Sequence, residues 1–165
     1  MATSNNTLIV QATEKDIDRL SRLIRDSFAD VARRFELTLQ SCPKHPSNYS
    51  SKWVARDLAR GVRYYILIAD GTAVGCVGVE NPSPIICYME RLAVLPQHRS
   101  QGYGTRLVRH AISQARDLGV STVGIGIIAA DTGLKDFYKA LGFEEGATKT
   151  FPHLPFEVTF LTIPL

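Results

Sequence analysis

Gly102 and Gly104 stand where an apolar stretch ending at Val94-Leu95-Pro96 gives way to a helical pattern, in the run Arg99-Ser100-Gln101-Gly102-Tyr103-Gly104-Thr105. The first N–H groups of a helix have no intrahelical acceptor and lie at the positive end of its dipole, so they attract phosphate oxygens, and glycines let the backbone come close. Thr105 adds a hydroxyl in the first turn. Two glycines opening a helix also make an ordinary tight turn, and on this spacing alone both readings stand. The two common nucleotide cradles do not fit: no Lys-Ser/Thr follows the glycines as in a P-loop, and no third glycine leads to a strand ending in an acid as in a dinucleotide fold. Upstream, Glu90 is the carboxylate in the largely apolar run Ile85 to Val94, one residue before Arg91. A carboxylate there serves as a general base, or it pairs with Arg91 at a strand end. Downstream, Asp131 opens a helical run that contains Phe137-Tyr138; an Asp at that position is suited to capping the helix.

The elements that must position these residues are readable from hydrophobic period and punctuation. Thr7 to Gln11 is a short strand, and Thr13 with Asp16 makes a capping-box start for a helix carrying Ile17, Leu20, Ile24, Phe28 and Val31. Glu36 to Asn48, with Pro43 and Pro46, reads as a loop around a short turn. Ser50 or Ser51 caps a second helix through Arg60, with Trp53 and Leu58 inward and Gly61 as its stop. Arg63 to Ala69 and Ala73 to Glu80 form a hairpin on Asp70-Gly71, and Ile85 to Leu95 is a longer strand. Gly102 to Leu118 is an amphipathic helix, Val120 to Ile128 a buried strand, Asp131 to Leu141 a helix, and Phe143 to Thr150 and Phe156 to Ile163 the last two strands. This order implies an α/β (α+β) fold with a mixed sheet and helices on its faces, in one domain over residues 1–165.

Composition narrows the functions. The formal charge of +3 comes from interspersed acidic and basic residues, so no basic face marks a nucleic-acid partner. No apolar window is long enough for a membrane, and Met-Ala-Thr-Ser-Asn-Asn lacks a targeting pattern, so a cytoplasmic location is expected. Cys42, Cys76 and Cys87 show no paired spacing, and His45, His98, His110 and His153 are scattered, so neither a disulfide framework nor a metal is expected.

Arg99-x-x-Gly102-x-Gly104 resembles the Gln/Arg-x-x-Gly-x-Gly/Ala signature of the GNAT acyltransferases. Glu90-Arg91-Leu92-Ala93-Val94-Leu95-Pro96 resembles the strand leading into that family's cradle, and Phe137-Tyr138-x-x-Leu141-Gly142-Phe143 its helix-to-strand segment near the C-terminus. The resemblance implies a mostly antiparallel sheet of about seven strands flanked by about four helices. It also implies acetyl-CoA as acyl donor, and an N-acetyltransferase moving acetyl to a primary amine of a small molecule, amino acid or peptide by direct attack in a ternary complex. A homodimer is compatible with it. The alternative is a non-catalytic acyl-CoA-binding module, against which Glu90 and Tyr138 both speak.

Aminolysis of a thioester needs a base for the amine, N–H donors for the carbonyl oxygen and an acid for the departing sulfur. By resemblance, Glu90 is the base, directly or through ordered water, and Tyr138 the acid. The backbone of Leu92, Ala93 and Val94 pairs with the pantetheine arm, Arg99, Ser100, Gln101, Gly102, Tyr103, Gly104 and Thr105 hold the pyrophosphate, and Phe137 flanks the coenzyme. Asp131 stands where many members carry Asn, and a carboxylate there can accept from an amide of the arm but not donate. The acceptor is expected opposite the coenzyme, walled by the Glu36 to Tyr49 loop, the first helices and the turn Phe151-Pro152-His153-Leu154-Pro155-Phe156. In that turn Phe151 is a candidate wall and His153 a second base or hydrogen-bonding group; a rigid turn covering the core edge is the equal alternative.

Overall fold

The structure, a computed structural model, describes residues 6–165; the first five residues, read above for a targeting signal, lie outside it. Strand β1 (Thr7–Gln11) leads to the expected capping box, in which the Thr13 hydroxyl accepts from the Lys15 N–H at 3.3 Å and Asp16 accepts from the Thr13 N–H at 2.8 Å. Helix α1 (Ile17–Arg34) follows one short turn later, longer than its apolar period alone marked. Helix α2 (Ser51–Ala59) is capped by Ser50, whose hydroxyl accepts from the Trp53 N–H. Its fully buried residues are Val54 and Asp57; Trp53 and Leu58 pack inward against the same core while half-buried, Trp53 edge-on to the Tyr49 ring at 5.4 Å.

The remaining elements are β2 (Arg63–Ala69), β3 (Thr72–Glu80), β4 (Ile86–Val94), α3 (Tyr103–Asp117), β5 (Thr122–Ile128), α4 (Thr132–Ala140), β6 (Glu144–Lys149) and β7 (Val158–Pro164). Together with β1, these strands form one seven-stranded sheet in the order β1-β2-β3-β4-β5-β7-β6, antiparallel except where β4 meets β5. Successive side chains of a strand face opposite ways, and β2 shows this directly. Tyr64 and Ile66 join Leu20, Leu23, Ile24 and Val54 of α1 and α2 in one core, while Tyr65 and Leu67 join Leu107, Val108, Ala111 and Ala115 of α3 in the other.

Two irregularities of β4 create the site. Against β3, Gly78 pairs with Glu90 and Cys76 with Ala93, so Arg91 and Leu92 oppose Val77 alone and the strand bulges, with Arg91 at φ +51°. Such bulges bend a strand and re-aim its side chains. Against β5, pairing runs from Ile86↔Thr122 only to Tyr88↔Gly124. Beyond that point the two strands part, and the β5-facing edge of Met89 to Val94 has no strand partner.

Candidate active site

The gap between β4 and β5 is a cavity of 380 Å³. Met89 to Leu92 form one wall and Ile125 to Ile128 the other, Phe28, Val31, His45 and Pro46 close it from the α1 side, and Asp131, Leu134 and Tyr138 from α4. It thus brings Glu90, Leu92, Asp131 and Tyr138 together. Ala93 is buried in the core under α1 and α2, so what it offers a ligand is backbone. A second cavity of 780 Å³ shares Ile128 and Phe156 with the first and opens past Phe35, Leu37, Leu154 and Pro155.

Beyond β4 the chain turns once at Pro96–His98 and enters α3. Gly102, at φ +82°, is the N-cap of α3, a left-handed conformation that favours glycine. Among the described residues, none of the backbone N–H groups from Ser100 to Thr105 has an acceptor. Gly104 faces α4: a Cβ there would stand 3.5 Å from the Phe137 ring. Unsatisfied donors at a helix start, reached by backbone without side chains, fit a pyrophosphate.

Arg99 is placed differently from its expected role. Its guanidinium donates to Ser27 O at 2.7 Å, to Asp30 at 2.7 and 3.1 Å, and to Val94 O at 3.0 Å. The side chain clamps the loop before α3 to α1, and the Arg99 N–H bonds to Pro96 O. Asp131 acts as the cap it resembles, accepting from the Leu134 N–H at 3.2 Å, and pairs with Arg34 at 2.8 Å. Its carboxylate therefore enters the cavity wall already engaged on two sides.

Tyr138 is 1% exposed, its ring edge-on to Phe137 and Phe143 at 5.1 and 5.3 Å. Its hydroxyl makes no hydrogen bond among the described residues. Burial pushes the phenol well above its ordinary range, so it keeps its proton at neutral pH. Glu90 is shifted upward as well. Burial first, then the neighbouring Glu80 carboxyl, push it up to about 7, against the pull of Arg91 and Arg60. Arg91 donates to Glu90 at 3.1 Å and Arg60 at 3.3 Å, so the sequence alternative of a paired carboxylate is also realised.

The turn after β6 corrects the acceptor wall. Phe151 sits edge-on to Phe160 at 6.4 Å and His153 is exposed; neither lines either of these two cavities. Strand β7 begins at Val158 rather than Phe156, which leaves Phe156 outside the ladder to fill the wall instead. The imidazole in the cavity is His45, buried beside Phe28. Ser47 N–H donates to its Nδ1 at 3.2 Å, and burial pushes its pKa down to about 4, so the neutral ring carries its proton on Nε2 as a donor. The sequence signal for His45 was its place between Pro43 and Pro46 in a loop expected to border the site.

The family model of the acetyltransferase (GNAT) family matches residues 22–143. The chain belongs to this family. It is an N-acetyltransferase, and the matched span runs from within α1 to just past α4, taking in the glycine turn, Glu90 and Tyr138. An uncharacterised N-acetyltransferase of Schizosaccharomyces pombe is 26% identical over 156 residues, covering 94% of this chain and 91% of the relative. Among solved structures, yncA of Salmonella typhimurium, whose structure holds acetyl-CoA, superposes with a TM-score of 0.73 at 17% identity, covering 98% of this GNAT chain and 95% of the other. The ribosomal-protein-alanine N-acetyltransferase of Brucella melitensis superposes with a TM-score of 0.72 at 21% identity, covering 96% and 99%. At these identities the likeness speaks for a shared fold.

Proposed function

We propose that this GNAT chain moves an acetyl group from acetyl-CoA to the primary amine of a small molecule, amino acid or peptide by direct attack, with both substrates bound at once. The observation that carries this reading is the single cavity that has Glu90 and Tyr138 on its walls, next to a helix start whose N–H groups lack acceptors. Ser100 to Thr105 would hold the pyrophosphate, and the unpaired edge of Met89 to Val94 would run beside the pantetheine arm. Acetyl-CoA supplies the activated carbonyl. Glu90, poised near neutrality, takes a proton from the acceptor nitrogen at its carboxylate. N–H groups on the open edge of β4 point their dipoles at the carbonyl oxygen. The Tyr138 hydroxyl, protonated and without another partner, gives its proton to the departing sulfur. The acceptor body would enter past Phe156 from the second cavity, between apolar walls, with His45 as a hydrogen-bond donor.

A panel of primary amines, amino acids and short peptides incubated with acetyl-CoA tests this by free-thiol detection. Amine-dependent thiol release with a matching acetylated product is expected. Binding of acetyl-CoA with no release on any amine would favour the non-catalytic alternative.

A further inference from the structure

On the side of Glu90 away from Tyr138 lie charges that the proposed chemistry has not used. Arg60, just past the end of α2, sets its guanidinium among three carboxylates. It donates to Asp57 at 3.0 Å and to Glu90 at 3.3 Å, and pairs with Glu80. Asp57 is 5% exposed and also accepts the Tyr64 hydroxyl at 2.6 Å and the Tyr49 hydroxyl. Arg91 donates to Glu90 and lies over the Tyr49 ring at 4.9 Å. Glu80 pairs across the ladder with Tyr88 and Glu90 with Gly78, so the two glutamates are diagonal neighbours on one face of the sheet.

Counted as formal charges, Asp57, Glu80 and Glu90 outnumber Arg60 and Arg91 by one. The cluster is neutral only with one added proton, and Glu90 is its one carboxyl on the cavity wall. The other ionisable groups facing it do not change that count. Burial pushes both Tyr49 and Tyr64 up, so they stay neutral, His45 is neutral across the cavity, and Asp131 is paired with Arg34. Two close carboxyls that cannot both ionise freely share one proton between them.

We propose that Asp57, Arg60 and Glu80 are positioning residues for acetyl transfer, leaving the Glu90 cluster one negative charge in excess so that it draws in the acceptor as an ammonium ion and takes its proton. This rests on Glu90 being the base. In the step, one N–H bond of the ammonium breaks, its electron pair stays on nitrogen as the attacking lone pair, and the proton forms an O–H bond on Glu90. The product state is uncharged within the cluster: Asp57 and Glu80 face Arg60 and Arg91. In a partly desolvated site that balance favours the free amine, which ordinary water does not at neutral pH.

The test is a carboxyl-carbon NMR titration of the whole chain labelled at the glutamate side-chain carbonyl, with the Glu90 resonance assigned by its loss in Glu90→Gln. The wild type should titrate near 7. Glu80→Gln should lower the midpoint by about one unit and Arg60→Gln raise it by a similar amount, while Arg60→Lys, which keeps the charge, stays near the wild type. Should Arg60→Gln fail to fold, Glu80→Gln and Arg60→Lys decide. On any amine the wild type acetylates, the acid limb of kcat/KM should move with the midpoint. An unmoved midpoint in Glu80→Gln, or shifts of the same sign in both charge-removing variants, would overturn the proposal. The titration needs no turnover, so an active enzyme with unmoved midpoints refutes the cluster alone. Opposed midpoints with an unmoved acid limb refute the base role on which it rests.

Discussion

Tyr138→Phe separates chemistry from architecture because the structure gives the hydroxyl no structural partner. The ring fills the space between Phe137 and Phe143 whether or not the oxygen is present. Deleting a hydroxyl normally costs about 0.5–1.5 kcal/mol through its lost hydrogen bond. Here no such bond exists among the described residues, so stability should change by less than about 0.5 kcal/mol. Catalysis should respond much more. A positioned general acid contributes about 10²–10⁴-fold, and a thiolate is a tolerable leaving group, so a fall in kcat of about 100-fold is expected. The KM for acetyl-CoA should hold, since the proton is passed only as the sulfur departs. Thiol-release kinetics at saturating amine, alongside thermal melting of the same variant, measure both. An unchanged kcat would remove Tyr138 from the acid role. A melting point several degrees lower with normal kcat would mean that the hydroxyl is structural after all.

Arg99→Ala should cost stability before it costs binding. It removes a part-exposed guanidinium that bridges Ser27, Asp30 and Val94, an effect of about 1–2 kcal/mol, or about 3–6 °C in Tm for a chain of this size. Acetyl-CoA affinity at 25 °C should change little, as calorimetry can check; a large loss of affinity at unchanged Tm would return Arg99 to the phosphate. His45 predicts an acid sensitivity. Its folded pKa, about 4, lies below the ordinary 6.5, so the unfolded chain binds the extra proton and stability falls as pH drops from 6.5 towards 4. Melting curves across that window should show a slope that His45→Gln flattens.

The glycine turn into α3 was legible because it is local: a left-handed φ at the N-cap of α3 favours glycine, and the apolar period of that helix is strong. The hairpin on Asp70-Gly71 was legible for the same reason, both residues taking positive φ. The bulge at Arg91 left no such mark, since no glycine stands in β4 itself and Ile86 to Val94 still reads as one strand. Arg99 carries the family signature in its sequence, yet its side chain is fixed by Asp30 on a helix far earlier in the chain. The Glu90 cluster is the least readable of all. Asp57 and Arg60 are spaced as an ordinary helical ion pair, and only the sheet register brings Glu80 and Glu90 to the same guanidinium. At the last turn a shift of two residues in where β7 begins was enough to exchange Phe151 for Phe156 in the wall.

Acetyl-CoA held by the start of α3 and the open edge of β4 together would stabilise the folded chain. Thermal melting with acetyl-CoA, ATP and NAD in parallel reads this out. At about a hundred times the dissociation constant, linkage adds about 2.7 kcal/mol to the folded state, raising the Tm by about 5–10 °C. That rise is expected for acetyl-CoA and none for ATP or NAD, which carry phosphates but no arm for the β4 edge. No shift at millimolar acetyl-CoA, or an equal shift with ATP, would contradict it.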